Sequence, residues 1–174
     1  MRSLEVKNLE AKFRLPDLDR ARRRAEAIGY RFECVLIQRD TFFHVARGKL
    51  KLREEGENAS LIYYAREESR DDLALSTYEI VAVSDGPKMR SILADALGIL
   101  AEVRKHRTLM MRDNVRLHLD RVKGLGDFGE IEAVIAPGRD PEESRGAVNE
   151  LLAALGIAPD ALIGVSYFEM LSRD

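Results

Sequence analysis

Residues 114–134 read NVRLHLDRVKGLGDFGEIEAV, and the alternation of this stretch decides the fold. Val115, Leu117 and Leu119 fall on one side of an extended chain; Arg116, His118 and Asp120 fall on the other. Beyond the glycines, Ile131 and Ala133 share one face, and Glu130 and Glu132 share the opposite face. Period-two alternation on both arms of a glycine-rich centre predicts a β-hairpin. Its charged face crowds an Arg, a His, an Asp and two Glu together.

The pattern recurs. NLEAKFRL (8–15) sets Asn8, Glu10, Lys12 and Arg14 against Leu9, Ala11, Phe13 and Leu15. KLKLR (49–53) alternates Lys49, Lys51 and Arg53 with Leu50 and Leu52. Tyr64 and Arg66 share a face, as do Lys105 and Arg107, while Glu79 lies between Tyr78 and Ile80. Strands are predicted near 4–14, 31–39, 47–54, 60–66, 76–83, 100–111, 114–122 and 128–135. Amphipathic helices are predicted over 16–29, 85–98 and 140–156, each ending at a glycine, with a short last helix in SYFEMLSRD (166–174). The helix–hairpin unit at 26–54 is echoed loosely at 95–121.

This content predicts an α+β fold. An ordinary half-exposed sheet packs its apolar face on a core and solvates the other with mixed polar residues. Here the outer positions are mostly fully charged, and three amphipathic helices need apolar sheet to cover. The apolar faces therefore turn outward, under the helices. The charged faces turn inward, in an eight-stranded antiparallel β-barrel or tunnel. Buried ions are tolerated only when paired or liganded. The expected lumen holds Lys12, Arg14, Lys51, Arg53, Arg66, Lys105, Arg107 and Arg116, with Glu10, Glu79, Asp120, Glu130 and Glu132. Cations of this kind suit a polyphosphate. The carboxylates call for a hard divalent cation between them and the phosphates, since Mg²⁺ takes a few carboxylates plus phosphate oxygens.

Bulk properties narrow the classes. The 174 residues suit one domain, 1–174. The residues are 45% apolar and 33% charged, yet the net charge is −2, which argues against a nucleic-acid binder held by bulk positive charge. The basic run RARRR (20–24) lies among acids on the polar side of its helix and reads as a solvated face. No stretch approaches the ~18 apolar residues of a membrane span. The single Cys34 fits a reducing compartment, so a cytoplasmic monomer or homodimer is expected. His118 reads as a polar lumen filler, and Tyr167 either as a closure of one tunnel mouth or as a core contact.

NLEAKFRL resembles the E-x-E-x-K signature of the CYTH family, the triphosphate tunnel metalloenzymes. DTFFHVARGKLKLRE, LIYYAR, VRKHRTL, VRLHLDRVKGLGDFGEIE and SYFEML resemble its later blocks, in order. The flavour is that of the class IV adenylyl cyclase-like branch. The resemblance implies a triphosphate substrate bound with Mg²⁺ or Mn²⁺. It implies metal ligation by Glu10, Glu130 and Glu132, with Asp120 as a further ligand. It implies phosphate binding by Lys12, Lys51, Arg53, Arg66, Lys105, Arg107 and Arg116, and catalytic roles for Lys12, Glu79 and Arg107. The first Glu of the signature is Asn8 here, which removes one negative charge from a second metal position. Two reactions fit: conversion of ATP to cyclic AMP and diphosphate, which leads on resemblance, and hydrolysis of thiamine triphosphate, a nucleoside triphosphate or inorganic triphosphate. Two readings remain: a non-catalytic phosphate- or nucleotide-binding module, and an enzyme acting on a diphosphate or triphosphate ester of a non-nucleotide organic group.

Overall fold

The computed structural model describes residues 7–66, 74–135 and 140–171. The elements run β1 (Lys7–Arg14), α1 (Leu18–Ala27), β2 (Arg31–Phe43), β3 (Lys49–Glu55), β4 (Asn58–Arg66), β5 (Ala74–Val83), α2 (Gly86–Leu97), β6 (Ile99–Arg112), β7 (Val115–Val122), β8 (Gly126–Ile135), α3 (Pro141–Leu155), a single 3-10 turn (Pro159–Ala161) and α4 (Tyr167–Leu171). All eight strands pair antiparallel and close in the order β1-β5-β4-β3-β2-β6-β7-β8. Shifting every strand label by four leaves this ring of neighbours unchanged. The helix–hairpin echo in the sequence is thus the trace of two topologically equivalent halves.

Local chemistry sets the helix ends. The carboxylates of Asp17, Asp85 and Asp140 accept from the backbone N–H groups of Arg20, Lys88 and Glu142 at 2.9, 2.9 and 3.0 Å. Caps of this kind contribute about 1 kcal/mol each. Gly156 ends α3 in the left-handed region at φ +74°.

The apolar strand faces do point outward. Phe13, Leu117, Ile131 and Ala133 are buried beneath α1 and α3, with Ala25, Val148 and Leu151 from the helices. Leu52, Phe43 and Ala59 are covered by Met89 and Leu93 of α2. A third cluster closes one end of the barrel: Phe42, Val103, Val122 and Phe128 meet Tyr167 and Phe168 of α4. Strand β2 runs four residues beyond its predicted end, because Asp40–Phe43 pair with both β3 and β6. Among the described residues no helix is long and apolar enough to cross a membrane.

Gly129 faces Phe13 across the β1–β8 pair, and a Cβ there would overlap the Phe13 ring. Gly129→Ala is therefore expected to lower the urea-unfolding free energy by about 1–3 kcal/mol through overpacking. Gly146→Ala, within α3 and with open space around it, is expected to raise stability by about 0.5–1 kcal/mol.

Candidate functional site

The lumen is a cavity of about 1120 Å³. Among the described residues seven cations line it: Lys12, Lys49, Lys51, Arg53, Lys105, Arg107 and Arg116. Five carboxylates line it as well: Glu10, Asp40, Glu130, Glu132 and Glu169. Cations outnumber carboxylates among these lining side chains, which favours an anion. Along the inward face of β6 the order is Val103, Lys105, Arg107, Leu109, Met111; along β2 it is Phe42, Asp40, Gln38, Leu36. The cavity thus passes from a closed aromatic end through an ionic middle to an apolar side at the far end.

The ionic middle is held by buried pairs. Arg53 donates from Nε and Nη2 to the two oxygens of Asp40, both at 2.7 Å, and Lys51 Nζ reaches Asp40 Oδ2 at 3.2 Å. Asp40 is only 2% exposed. Burial pushes its carboxyl up, but Lys51 and Arg53 outweigh burial and hold it well below the usual carboxylate range. Arg107 makes the matching fork on Asp120 at 2.7 and 2.6 Å, and its Nη2 also pairs with Glu130. Glu130 takes Lys12 Nζ at 3.1 Å as well. Lys12 and then Arg107 override burial and keep Glu130 well below its usual range. Lys105 differs from its neighbours. Its Nζ lies 3.9 Å from Asp120 Oδ2, and no acceptor stands within hydrogen-bond range among the described residues. Burial, reinforced by Arg107, pushes its ammonium down to about 7. Burial and Arg107 likewise hold His118 well below its usual value, so its ring is neutral.

The opposite wall carries the acids. Glu10 and Glu132 are direct cross-strand partners on β1 and β8, with Glu130 two residues along the same face. Like charges set directly opposite each other destabilise a sheet unless a cation lies between them. Arg116 Nη1 takes one oxygen of Glu132 at 3.2 Å. The donors are hard oxygens suited to Mg²⁺ or Mn²⁺. Among the described residues no three His, Cys, Asp or Glu side chains converge into a closed ligand cluster.

The C-terminal segment seals the aromatic end. Leu162 bridges to Phe13, and the Ile163 N–H donates to the Lys12 carbonyl at 2.7 Å. Lys12 Nζ donates to the Val165 carbonyl, Tyr167 OH donates to Asp120 Oδ2 at 2.9 Å, and Glu169 pairs with Lys49 at 3.0 Å. Tyr167 is at once a core contact and the closure of one mouth.

The structure brings Lys12, Lys51, Arg53, Lys105, Arg107, Arg116, Glu10, Glu130 and Glu132 to the cavity. Glu79 does not belong there. It pairs with Tyr63 on the outer face and is exposed, while its neighbour Ile80 lines the lumen. Arg14 keeps the inward parity but lies past the aromatic layer. There it is exposed, donating to the Leu125 carbonyl at 3.1 Å and stacked over Phe128. Asp120 is wholly buried behind Arg107 and does not line the cavity; its oxygens anchor Arg107 and Tyr167. The side chains of Asn8 and Arg66 lie outside the described residues. Sequence reasoning missed Asp40 and Glu169, and it put Lys49 on the charged face without counting it in the lumen. Asp40 shares parity with Gln38 and Phe42, a signal lost by ending β2 at 39.

Residues 7–162 match the CYTH domain. A Methanocaldococcus jannaschii protein, named as a candidate adenylate cyclase, is 27% identical over 93% of this chain and 97% of its own length. The solved structure of PH1012 from Pyrococcus horikoshii superposes with a TM-score of 0.82 at 23% identity, covering 93% of this chain and 98% of that one. A Hippeastrum protein, titled a candidate adenylyl cyclase with dominant triphosphatase activity, superposes with a TM-score of 0.67 at 18% identity, over 98% of this chain and 96% of that one.

Tyr167→Phe deletes the hydroxyl that ties α4 to Asp120. Its expected cost is about 1–2 kcal/mol in chemical denaturation. Tyr63→Phe, on the exposed outer face, is expected to stay within about 0.5 kcal/mol of the parent.

Proposed function

The chain belongs to the CYTH family, and from that premise we propose that it is a divalent-metal-dependent enzyme that cleaves a phosphoanhydride bond of a triphosphate held in the tunnel. One observation carries the reading. Lys105 is a buried lysine lining a cavity sealed at one end, and among the described residues no hydrogen-bond acceptor reaches its Nζ. A phosphate oxygen is the partner that completes it.

The first reading is cyclase-like. The ribose 3′ oxygen of ATP bonds to the α-phosphorus, the α–β bridging bond breaks, and diphosphate leaves with cyclic AMP as the other product. The name of the Methanocaldococcus jannaschii relative supports it. So do Leu36, Leu109, Met111, Ile62 and Ile80, apolar lining that suits an organic group beside the ionic middle. The second reading is hydrolysis: water bonds to the terminal phosphorus, the β–γ bridging bond breaks, and orthophosphate and the diphosphate product leave; the Hippeastrum neighbour's triphosphatase activity supports that. In both, Lys51, Arg53 and Lys105 hold the phosphates and stabilise the leaving group, and Lys12 and Arg107 lie beside the reacting centre. Glu10, Glu132 and Glu130 are the residues to hold Mg²⁺ or Mn²⁺, which would neutralise substrate oxygens. A cytoplasmic setting suits the lone thiol.

Incubation with ATP, thiamine triphosphate or inorganic triphosphate, with each metal, should release cyclic AMP and diphosphate or else orthophosphate. Metal-enhanced binding with no product would leave a binding module. Glu130→Gln and Glu132→Gln are each expected to lower metal-dependent turnover by 100-fold or more, on the order of 3 kcal/mol, with circular dichroism unchanged. Arg53→Ala should weaken triphosphate binding tenfold or more, about 1.4 kcal/mol, whereas Arg22→Ala, on the exposed face of α1, should leave it unaltered.

The lysine supplies a pH signature. In the free protein Lys105 titrates at about 7, so at pH 8 it is mostly neutral. A bound polyanion favours the ammonium and raises that value. Triphosphate binding at pH 8 should therefore take up protons, seen as a heat that changes between two phosphate-free buffers of different ionisation enthalpy, such as HEPES and Tris. At pH 6, where the ammonium is already formed, the uptake should shrink.

A further inference from the structure

We infer that Asp40 is a positioning residue of the polyanion site, holding Arg53 and Lys51 in the geometry that receives phosphate. The inference rests on the triphosphate reading of the cavity. An acid inside an anion site is paradoxical on charge alone. Neutralising it would make the lumen more positive and, in a purely electrostatic account, strengthen anion binding. The geometry points the other way. Asp40 occupies Nε and Nη2 of Arg53 with both its oxygens, which fixes the guanidinium plane and leaves Nη1 for a ligand. The same carboxylate takes Lys51 Nζ at 3.2 Å.

The location explains why such a bolt is needed. Arg53 and Lys51 are long side chains on β3, and Glu130 stands on β8, across the ring, where its field reaches both of them. Without Asp40 on the neighbouring strand, the attraction of Glu130 for both side chains is left unopposed and draws Arg53 across the lumen. That movement would fill the space a phosphate chain requires and would engage an acid assigned to the metal. Asp40 pairs directly with Arg53 in the β2–β3 register, so the restraint is built from the backbone up. Ordering two flexible cations before the ligand arrives removes an entropic cost from binding.

Calorimetric titration of the full chain with inorganic triphosphate tests this, because it reports affinity and competent fraction separately. Asp40→Asn is expected to raise Kd tenfold or more with stoichiometry unchanged. A merely structural role would lower stoichiometry and leave Kd alone, and the pure charge account predicts a lower Kd; either result overturns the inference. Asp40→Glu keeps the charge but carries the carboxylate one methylene further, so fork and lysine contact cannot both persist. It should raise Kd threefold or more. If Asp40→Asn does not fold, Asp40→Glu decides, and a Kd within twofold of the parent sinks the inference. Failure of the parent protein to bind inorganic triphosphate would instead bring down the triphosphate reading itself, and this role for Asp40 with it.

Discussion

A ring of strands can close around ionic side chains only if the charges satisfy one another inside it. Each lone ion withdrawn from water would cost several kcal/mol, more than one strand pair returns. Two forks answer that constraint here. Asp40 binds Arg53 and Lys51, and Asp120 binds Arg107 beside Lys105. Each joins a carboxylate on one strand to a K-x-R run on its neighbour, so strand pairing and charge pairing are specified by the same register. With the lumen satisfied, the apolar residues of the same strands are left facing outward, and the three longer helices become necessary as their cover.

Much of this was legible because strict alternation leaves little freedom. Lys49, Lys51 and Arg53 cannot share a face with Leu50 and Leu52, and once α2 must cover the leucines the cations have one place to go. Glu79 shows where the rule fails. In TYEIVAV one face is Thr77, Glu79, Val81 and Val83 and the other Tyr78, Ile80 and Ala82, so the stretch holds a single charge and parity alone does not choose. Val83 packs under α2, and this sends Val81 and Glu79 outward with it. Arg14 shows a second limit: alternation fixes the side of a strand but not the depth along the barrel, and Arg14 lies past the aromatic layer. Asp120 shows a third. Its face was plain, but its role depends on Tyr167, 47 residues away in sequence and folded back by a bridge at Leu162.

The sealing of one end turns a pore into a pocket with direction. Phe42 stacks on Phe168 with ring centroids 4.6 Å apart, and Phe128 meets Tyr167 edge-on at 5.1 Å. Lys105 is buried just inside this layer beside Arg107, and these two causes push its ammonium down to about 7. Beyond the ionic middle, β2 and β6 change to Leu36, Leu109 and Met111.

The topology also polarises the cavity across its width. In the ring order β1-β5-β4-β3-β2-β6-β7-β8, β1 stands four places from β2, and β8 four places from β3. Glu10, Glu130 and Glu132 therefore face the wall that carries Arg53, Lys51 and Asp40. The two halves of the fold are equivalent as topology but not as chemistry. The first half puts its K-x-R on β3 and its anchoring aspartate on β2; the second puts its K-x-R on β6 and its aspartate on β7. Because β2 and β6 are neighbours, this exchange gathers both K-x-R runs on one side, with Asp40 between them, and leaves β1 and β8 to the acids. A phosphate chain lying between these walls would meet guanidinium and ammonium groups on one flank and carboxylate-held cations on the other. Had the halves matched residue for residue, each flank would carry a mixture, and no flank would be free to hold a cation against the substrate.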